Sequence, residues 1–249
     1  MCAPEWFTAL APDAVDTDAI LLPPGPGHWF GTDELGRDLF CRVIYGTSQS
    51  LTIGVSATAI ACLGGISLGT AAALAPALVR QFLVRLIDIL LAFPELLLAL
   101  LVIAVLGRGP VNTLLAVGLS HIAGYARLVR SQVLSVKLSG YVEHALTIGE
   151  QPWTIIIKHI VPNTIRPLMI LATIGVGTAV LTASALSFLG LGVVPPAPEW
   201  GALLASGRNF IEIAPWMSLL PATVVAVSVI SITLLGRRLQ VLLAKGDLP

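Results

Sequence analysis

Five long apolar stretches dominate the sequence, at 50–74, 83–106, 110–126, 164–189 and 215–235. A hydrocarbon layer of roughly 30 Å is crossed by about 20 helical residues, so each stretch is long enough, or nearly so, to span it. No water reaches that layer, and only helices or a closed barrel leave no peptide group unpaired there. The stretches are continuously apolar rather than alternating, which argues against a barrel. The expected fold is therefore all-α, a polytopic transmembrane helix bundle with five predicted spans. Composition agrees: 56% of residues are hydrophobic and 11% charged, against about 25% charged in a soluble domain. The third stretch is the weakest, being short and carrying Asn112, Ser120 and His121.

Lysine and arginine set the direction of insertion. With the N-terminal tail outside, the inner segments hold Arg80, Arg85, Arg127, Arg130, Lys137, Lys158, Arg166, Arg237, Arg238 and Lys245, and the outer ones only Arg37, Arg42, Arg108 and Arg208. The chain divides accordingly into an external segment 1–48, a membrane domain 49–236 with a cytoplasmic loop 131–163, and a cytoplasmic tail 237–249. This direction makes a tail rich in Asp and Glu cross the membrane with no span ahead of it, so a first helix is expected to be missing upstream. A net charge of +0 gives no electrostatic reason to expect nucleic acid. The cysteines show no paired spacing: Cys62 reads as a small packing residue, and Cys2 and Cys41 are the one pair able to meet outside the membrane. No basic-then-apolar signal peptide opens the chain.

The inner loop between the third and fourth stretches, about 36 residues, is too long for a simple connector. Residues 141–148 are expected to form a short helix stopped by Gly149, which tolerates positive φ. A second should start at Pro152, suited to a first turn, and run to about Ile160, before Pro162. Two short helices at the membrane surface make a knob that a soluble partner can grip.

The spacing Tyr141-Val-Glu143-x-Ala145, Gly149, Ile160-x-Pro162-Asn163 resembles the EAA loop of ABC importer permeases. Further blocks resemble the dipeptide/oligopeptide/nickel branch of that family: His28-Trp-Phe-Gly-Thr-Asp33-Glu-Leu-Gly-Arg37-Asp38, Asp88-Ile-Leu-Leu-Ala-Phe-Pro94, Gly124-Tyr-Ala-Arg127-Leu-Val-Arg130, and Ser187-Phe-Leu-Gly-Leu-Gly192 followed by Glu199-Trp200-Gly201. The chain departs from the pattern at His144 and Leu146 and in its basic tail. The resemblance implies a multi-pass inner-membrane subunit with the type I importer permease fold, usually of six helices. It further implies a homologous permease as partner, two cytoplasmic ATPase subunits that hold the ATP and magnesium, and an external substrate-binding protein. Tyr141, Glu143, Ala145, Gly149, Ile160 and Pro162 would then dock the ATPase, and the cargo would be peptides or nickel and other metal chelates.

The chain has no G-x-x-x-x-G-K-[ST] phosphate loop, so no catalytic residue and no bound cofactor is expected. Gly64-Gly65 and Gly190-Leu-Gly192 read as sites of close helix approach. Asp88 and Glu95, two helical turns apart, fall on nearly one face. Asp88 is expected to pair with Arg85 or Arg127. Glu95 lies near mid-membrane beside Pro94, where a helix can bend; it either faces the translocation pathway or is buried in neutral form. His121 is either a pathway residue or a helix–helix contact, and no metal site assembles around it. Lys158, His144 and His159 should be solvated or face the partner. A short outer helix at 201–211 belongs to an outer gate, a binding-protein platform or a plain cap. Two other readings remain: an ion-coupled secondary transporter using Glu95 and Asp88 as proton carriers, or an inactive truncated permease.

Overall fold

The computed structural model describes residues 4–8 and 10–244, almost all of the ordered structure being helical. Cys2 and Lys245 lie outside the described residues. Cys41 is a buried free thiol whose Sγ donates to the Leu10 carbonyl at 3.0 Å.

Among the described residues nine α-helices follow in order: α1 Leu39–Leu74, α2 Ala77–Ala92, α3 Glu95–Leu106, α4 Pro110–Lys137, α5 Gly140–Thr147, α6 Pro152–Ile155, α7 Val161–Phe188, α8 Trp200–Gly207 and α9 Trp216–Ala244. At 36 residues, α1 is about 54 Å long, well beyond a hydrocarbon layer. Residues 39–48 already belong to it and project outward. Asp38 caps it, accepting from the Cys41 N–H at 2.7 Å.

Helices α1, α7 and α9 are each long and apolar enough to cross a membrane alone. The expected span 83–106 is not one helix. It breaks at Phe93 and Pro94 into α2 and α3, which meet at 97°. Both break residues are extended (ψ 140° and 133°), because a proline disfavours helical geometry in the residue before it and has no N–H to donate. Pro94 then starts the next helix, its carbonyl accepting from Leu97 and Leu98. The third expected span, α4, has the length at 28 residues but is too polar to qualify by hydropathy. Its Thr113, Ser120 and His121 are buried inside the bundle, so protein rather than lipid surrounds them.

The connections sort to two ends. The N-terminal segment, the α3–α4 turn and the α7–α8–α9 connections gather at one end, where Gly109 N–H meets Gly192 O at 3.2 Å and Trp216 Nε1 donates to Thr32 O at 3.2 Å. The α1–α2 turn and the segment from α5 to α7 lie at the other, which the lysine and arginine bias makes the inner end. One apolar core joins Ile53, Ala99, Ile103, Val117, Ala183 and Leu186 from α1, α3, α4 and α7. A second, nearer the inner end, joins Ala73, Val129, Val133, Val142, Ala145 and Ile160.

Helices α1 and α4 run against each other at backbone distance. A Cβ on Gly65 would lie 3.1 Å from Ala126 N, and one on Gly69 2.5 Å from Ala126 O. On the opposite side, a Cβ on Gly118 would lie 3.0 Å from Ala57 O. Small residues let helices approach in this way where lipid offers no hydrophobic drive for association. Gly190 acts otherwise: its φ of +77° closes a turn, and a Cβ there would meet nothing within 4 Å. Gly69→Val should force the two helices apart and cost about 1–3 kcal/mol, read as a lowered Tm of the detergent-solubilised protein. An unchanged Tm would show that the α1–α4 seam is not tightly packed.

Candidate functional site

Helix α5 ends in a paired hydrogen-bond cap. Glu150 N–H donates to Ala145 O, and Gly149 N–H to Leu146 O, both at 3.1 Å, while Gly149 takes the expected left-handed φ of +83°. This is the Schellman arrangement, which satisfies the last carbonyls of a helix and turns the chain sharply. Val142 and Ala145 bury their side chains against Val129 and Val133 of α4 and against Ile155, Ile160 and Leu168. The knob is thus fused to the bundle.

The second short helix does not stop before Pro162. From α6 the chain continues through a π turn, Ile156–Ile160, directly into α7. Val161 N–H donates to Ile156 O, five residues back. The wider turn shifts the hydrogen-bond register, so Pro162 falls in the first turn of α7, where its missing N–H costs little. Asn163 Nδ2 donates to His159 O at 2.6 Å, and Thr164 Oγ1 to Ile160 O at 2.8 Å.

Of the six docking candidates, Ala145 and Ile160 are buried, whereas Tyr141, Glu143, Gly149 and Pro162 are exposed. His144 points outward, so its imidazole displaces nothing in the core. Lys158 is exposed as expected. His159 is half-buried in the knob, its Nε2 3.1 Å from Glu150 Oε2 and its ring 6.4 Å from that of Tyr141. Leu146, Ile148 and Trp153 stand 55%, 63% and 69% exposed around them.

The bend at Pro94 removes the shared face of Asp88 and Glu95. Asp88 pairs with Arg127 at 3.1 Å, one of its two expected partners. Glu95 opens α3 and meets the other pathway candidate: its Oε2 lies 3.2 Å from His121 Nε2. That distance suits an ion pair, but the imidazole nitrogen has no well-aligned hydrogen bond. His121 is 6% exposed while the Glu95 side chain is 56% exposed. Gly124 lies beside the carboxylate, and a Cβ there would make ordinary van der Waals contact with Glu95 Oε1 at 3.9 Å. The pair therefore presents one oxygen-rich face away from the bundle. Among the described residues no group of three or more His, Cys, Asp or Glu is placed to hold a metal ion.

The outer end holds residues not singled out individually by the sequence. Asp33 is buried, accepts from the Leu35 and Arg37 N–H groups, binds Arg37 Nε at 2.7 Å and lies 3.6 Å from Arg42. Arg42 reaches across to donate to Pro196 O at 3.2 Å. Glu199, 1% exposed, caps α8 through the Gly201 and Ala202 N–H groups and accepts from Ser50 Oγ of α1 at 3.1 Å. An acid just before Trp200-Gly201, at a helix start, was the available signal. The outer helix appears as α8 followed by a 3₁₀ turn, Arg208–Phe210. These contacts bind it, and the segment just before it, to α1.

Residues 65–246 match the family described as binding-protein-dependent transport system inner membrane component. The chain is 40% identical to the di/tripeptide transport system permease protein DppC of Pseudomonas aeruginosa over 241 residues, 94% of this chain and 80% of that protein. It is 41% identical to the glutathione transport system permease protein GsiD of Salmonella typhimurium, over 95% of this chain and 78% of that one. The fold is similar to that of a chain in the inward-facing MetNI methionine ABC transporter, with TM-score 0.67 at 18% identity, covering 80% of this chain and 94% of that chain.

The two carboxylates of opposite setting should separate under mutation. Glu199→Ala removes the cap of α8 and its link to α1 and should cost about 2–4 kcal/mol. Asp88→Asn, at a half-exposed pair, should cost less than about 1 kcal/mol. Thermal unfolding of both variants in one detergent tests the ordering, and equal losses would contradict it.

Proposed function

Since the chain belongs to the family of binding-protein-dependent transport system inner membrane components, as a non-catalytic permease subunit, we propose that it forms half of the translocation pathway of an ATP-driven importer of short peptides. A homologous permease supplies the other half, two ATPase subunits grip the inner knobs, and an external binding protein delivers cargo at the outer end. Peptides come first as cargo because the cited relatives carry di- and tripeptides and glutathione, itself a small peptide. For a metal chelate, Glu95 and His121 alone offer too few donors to bind the ion directly.

The observation that carries this reading is the inner knob: a rigid, capped helix, fused to α4 and α7, that leaves Tyr141, Leu146, Ile148 and Trp153 in water. An ion-coupled carrier has no use for such a surface. Tyr141, Glu143 and Gly149 would meet the ATPase directly, while Ala145, Ile160 and Pro162 hold the knob in shape. ATP-driven closure of the ATPases moves the knobs inward, and the bundle turns from inward-facing to outward-facing; each ligand biases one of two states. Glu95, supported by His121, lines the pathway. Its half-exposed carboxylate at mid-depth is costly against lipid and is satisfied by a wet cavity.

Gly149→Val tests the docking role. Nothing lies near a Cβ at this position, so the effect is purely on backbone geometry: about 1–2 kcal/mol of left-handed strain is relieved by redirecting the chain after α5. ATP-driven peptide uptake in proteoliposomes should fall at least tenfold, and ATPase co-purification should weaken, with membrane insertion unchanged. Normal uptake and normal ATPase retention would refute the assignment. Glu95→Gln should lower uptake severalfold while leaving ATPase retention intact, which separates the pathway from the docking surface.

A further inference from the structure

A basic pocket at the inner end shares no residue with the proposed docking surface or pathway. Arg80 and Arg85 of α2 and Arg130 of α4, with Gln81 and Val84, line a cavity of about 230 Å³. No acidic side chain lines it. Among the described residues none of the three arginines is ion-paired, and the Nε of Arg130 is buried with no hydrogen-bond partner. Arg127, one turn away on α4, shows the contrast: it is balanced by Asp88 at 3.1 Å. Three guanidinium groups around one small space repel one another, and a buried unmet donor adds to the cost. An anion in the cavity relieves both.

The surroundings indicate which anion. Immediately beyond the pocket, Leu83, Val84, Ile87 and Leu91 of α2 pack with Ala72 and Ala126, so the arginines sit where the apolar part of the bundle begins. On α2 the residues Phe82, Arg85 and Ile89 follow one another at helical spacing on one face. Phe82 and Ile89 are 67% and 57% exposed. The basic pocket thus opens onto an outward-facing apolar stripe, which matches a molecule with an anionic head and apolar tails. Guanidinium groups suit phosphate oxygens, which they bind two at a time, and basic pockets between helices on the inner side are suited to anionic lipid headgroups. We propose that Arg80, Arg85 and Arg130 bind the phosphate of an anionic phospholipid of the inner leaflet, whose acyl chains lie along Phe82 and Ile89.

The test uses the assembled transporter, purified through a tag on this chain and stripped of lipid. Native mass spectrometry follows titration with phosphatidylglycerol or phosphatidylcholine, for the wild type and for Arg80→Gln/Arg85→Gln/Arg130→Gln. A parallel thermal melt is run with inorganic phosphate. Phosphatidylglycerol should bind the wild type about a hundredfold more tightly than the variant. Phosphatidylcholine should not distinguish them, and inorganic phosphate should leave the Tm unchanged. Should the triple variant fail to assemble, Arg80→Gln/Arg85→Gln, both at exposed positions, carries the comparison with about a thirtyfold loss. Equal lipid affinity in wild type and variant overturns the proposal. So does saturable stabilisation by inorganic phosphate alone, which assigns the pocket to a soluble anion. Loss of a partner subunit from the variant with lipid binding unchanged also overturns it, because the arginines would then serve a protein interface. None of these outcomes depends on the identity of the cargo.

Discussion

Everything else in the bundle is hung on the backbone contact between α1 and α4. Lipid tails are as apolar as leucine, so helices in hydrocarbon gain little by hiding apolar surface from them and are held by close packing instead. Gly65, Gly69 and Gly118 bring the two helices close enough for backbone atoms to meet. This placement lets α4 carry Thr113, Ser120 and His121 at membrane depth, since each is sealed inside protein. It also puts both candidate sites on one element: α4 supplies His121 to Glu95 at one level, and Val129 and Val133 to the knob at another.

The knob is built to move only with the bundle. Its inward face, Val142 and Ala145, belongs to the same apolar core as α4 and α7, and close-packed cores transmit displacement rather than absorb it. Its exit is fixed by the capped turn at Gly149 and by the Glu150–His159 contact. Its continuation into α7 through a π turn leaves no hinge of loose chain on that side. A push on α5 therefore reaches α4 and α7 together, which is what the proposed docking role requires of it.

Much of this was legible in the sequence, and the gaps have physical causes. Apolar length located α1, α7 and α9, and the helix stopped by Gly149 followed from the need for positive φ after α5. The outer short helix and an arginine partner for Asp88, with Arg85 and Arg127 both open, were also legible, because each rests on local chemistry or on a charge that cannot stay alone. Hydropathy undervalued α4, since it assumes that a span faces lipid on every side, and it missed the inner extension to Lys137. Pro94 was read as a bend but breaks the helix outright at 97°. Pro162 was read as a terminus but is absorbed by a π turn, a register shift that has no sequence signature. The outer contacts Ser50–Glu199 and Arg42–Pro196 join residues more than a hundred positions apart, and pairings at that distance are invisible to spacing rules.

The break at Pro94 also resolves what one sequence feature means for another. On a straight helix Asp88 and Glu95 would have shared a face and a role. The bend gives Asp88 to Arg127 near the inner boundary and carries Glu95 to the start of α3, beside His121. A carboxylate at the first position of a helix is favoured by the peptide dipoles there, and the buried imidazole of His121 stands 3.2 Å behind it. The two carboxylates, 54% and 56% exposed, thus end beside different partners on α4: one against the exposed guanidinium of Arg127, the other against the buried imidazole of His121. A symmetric proton-carrier role for the two, as an ion-coupled carrier would need, has no basis in that geometry. The proposed pathway role needs only Glu95, at the start of α3 with its carboxylate half-exposed.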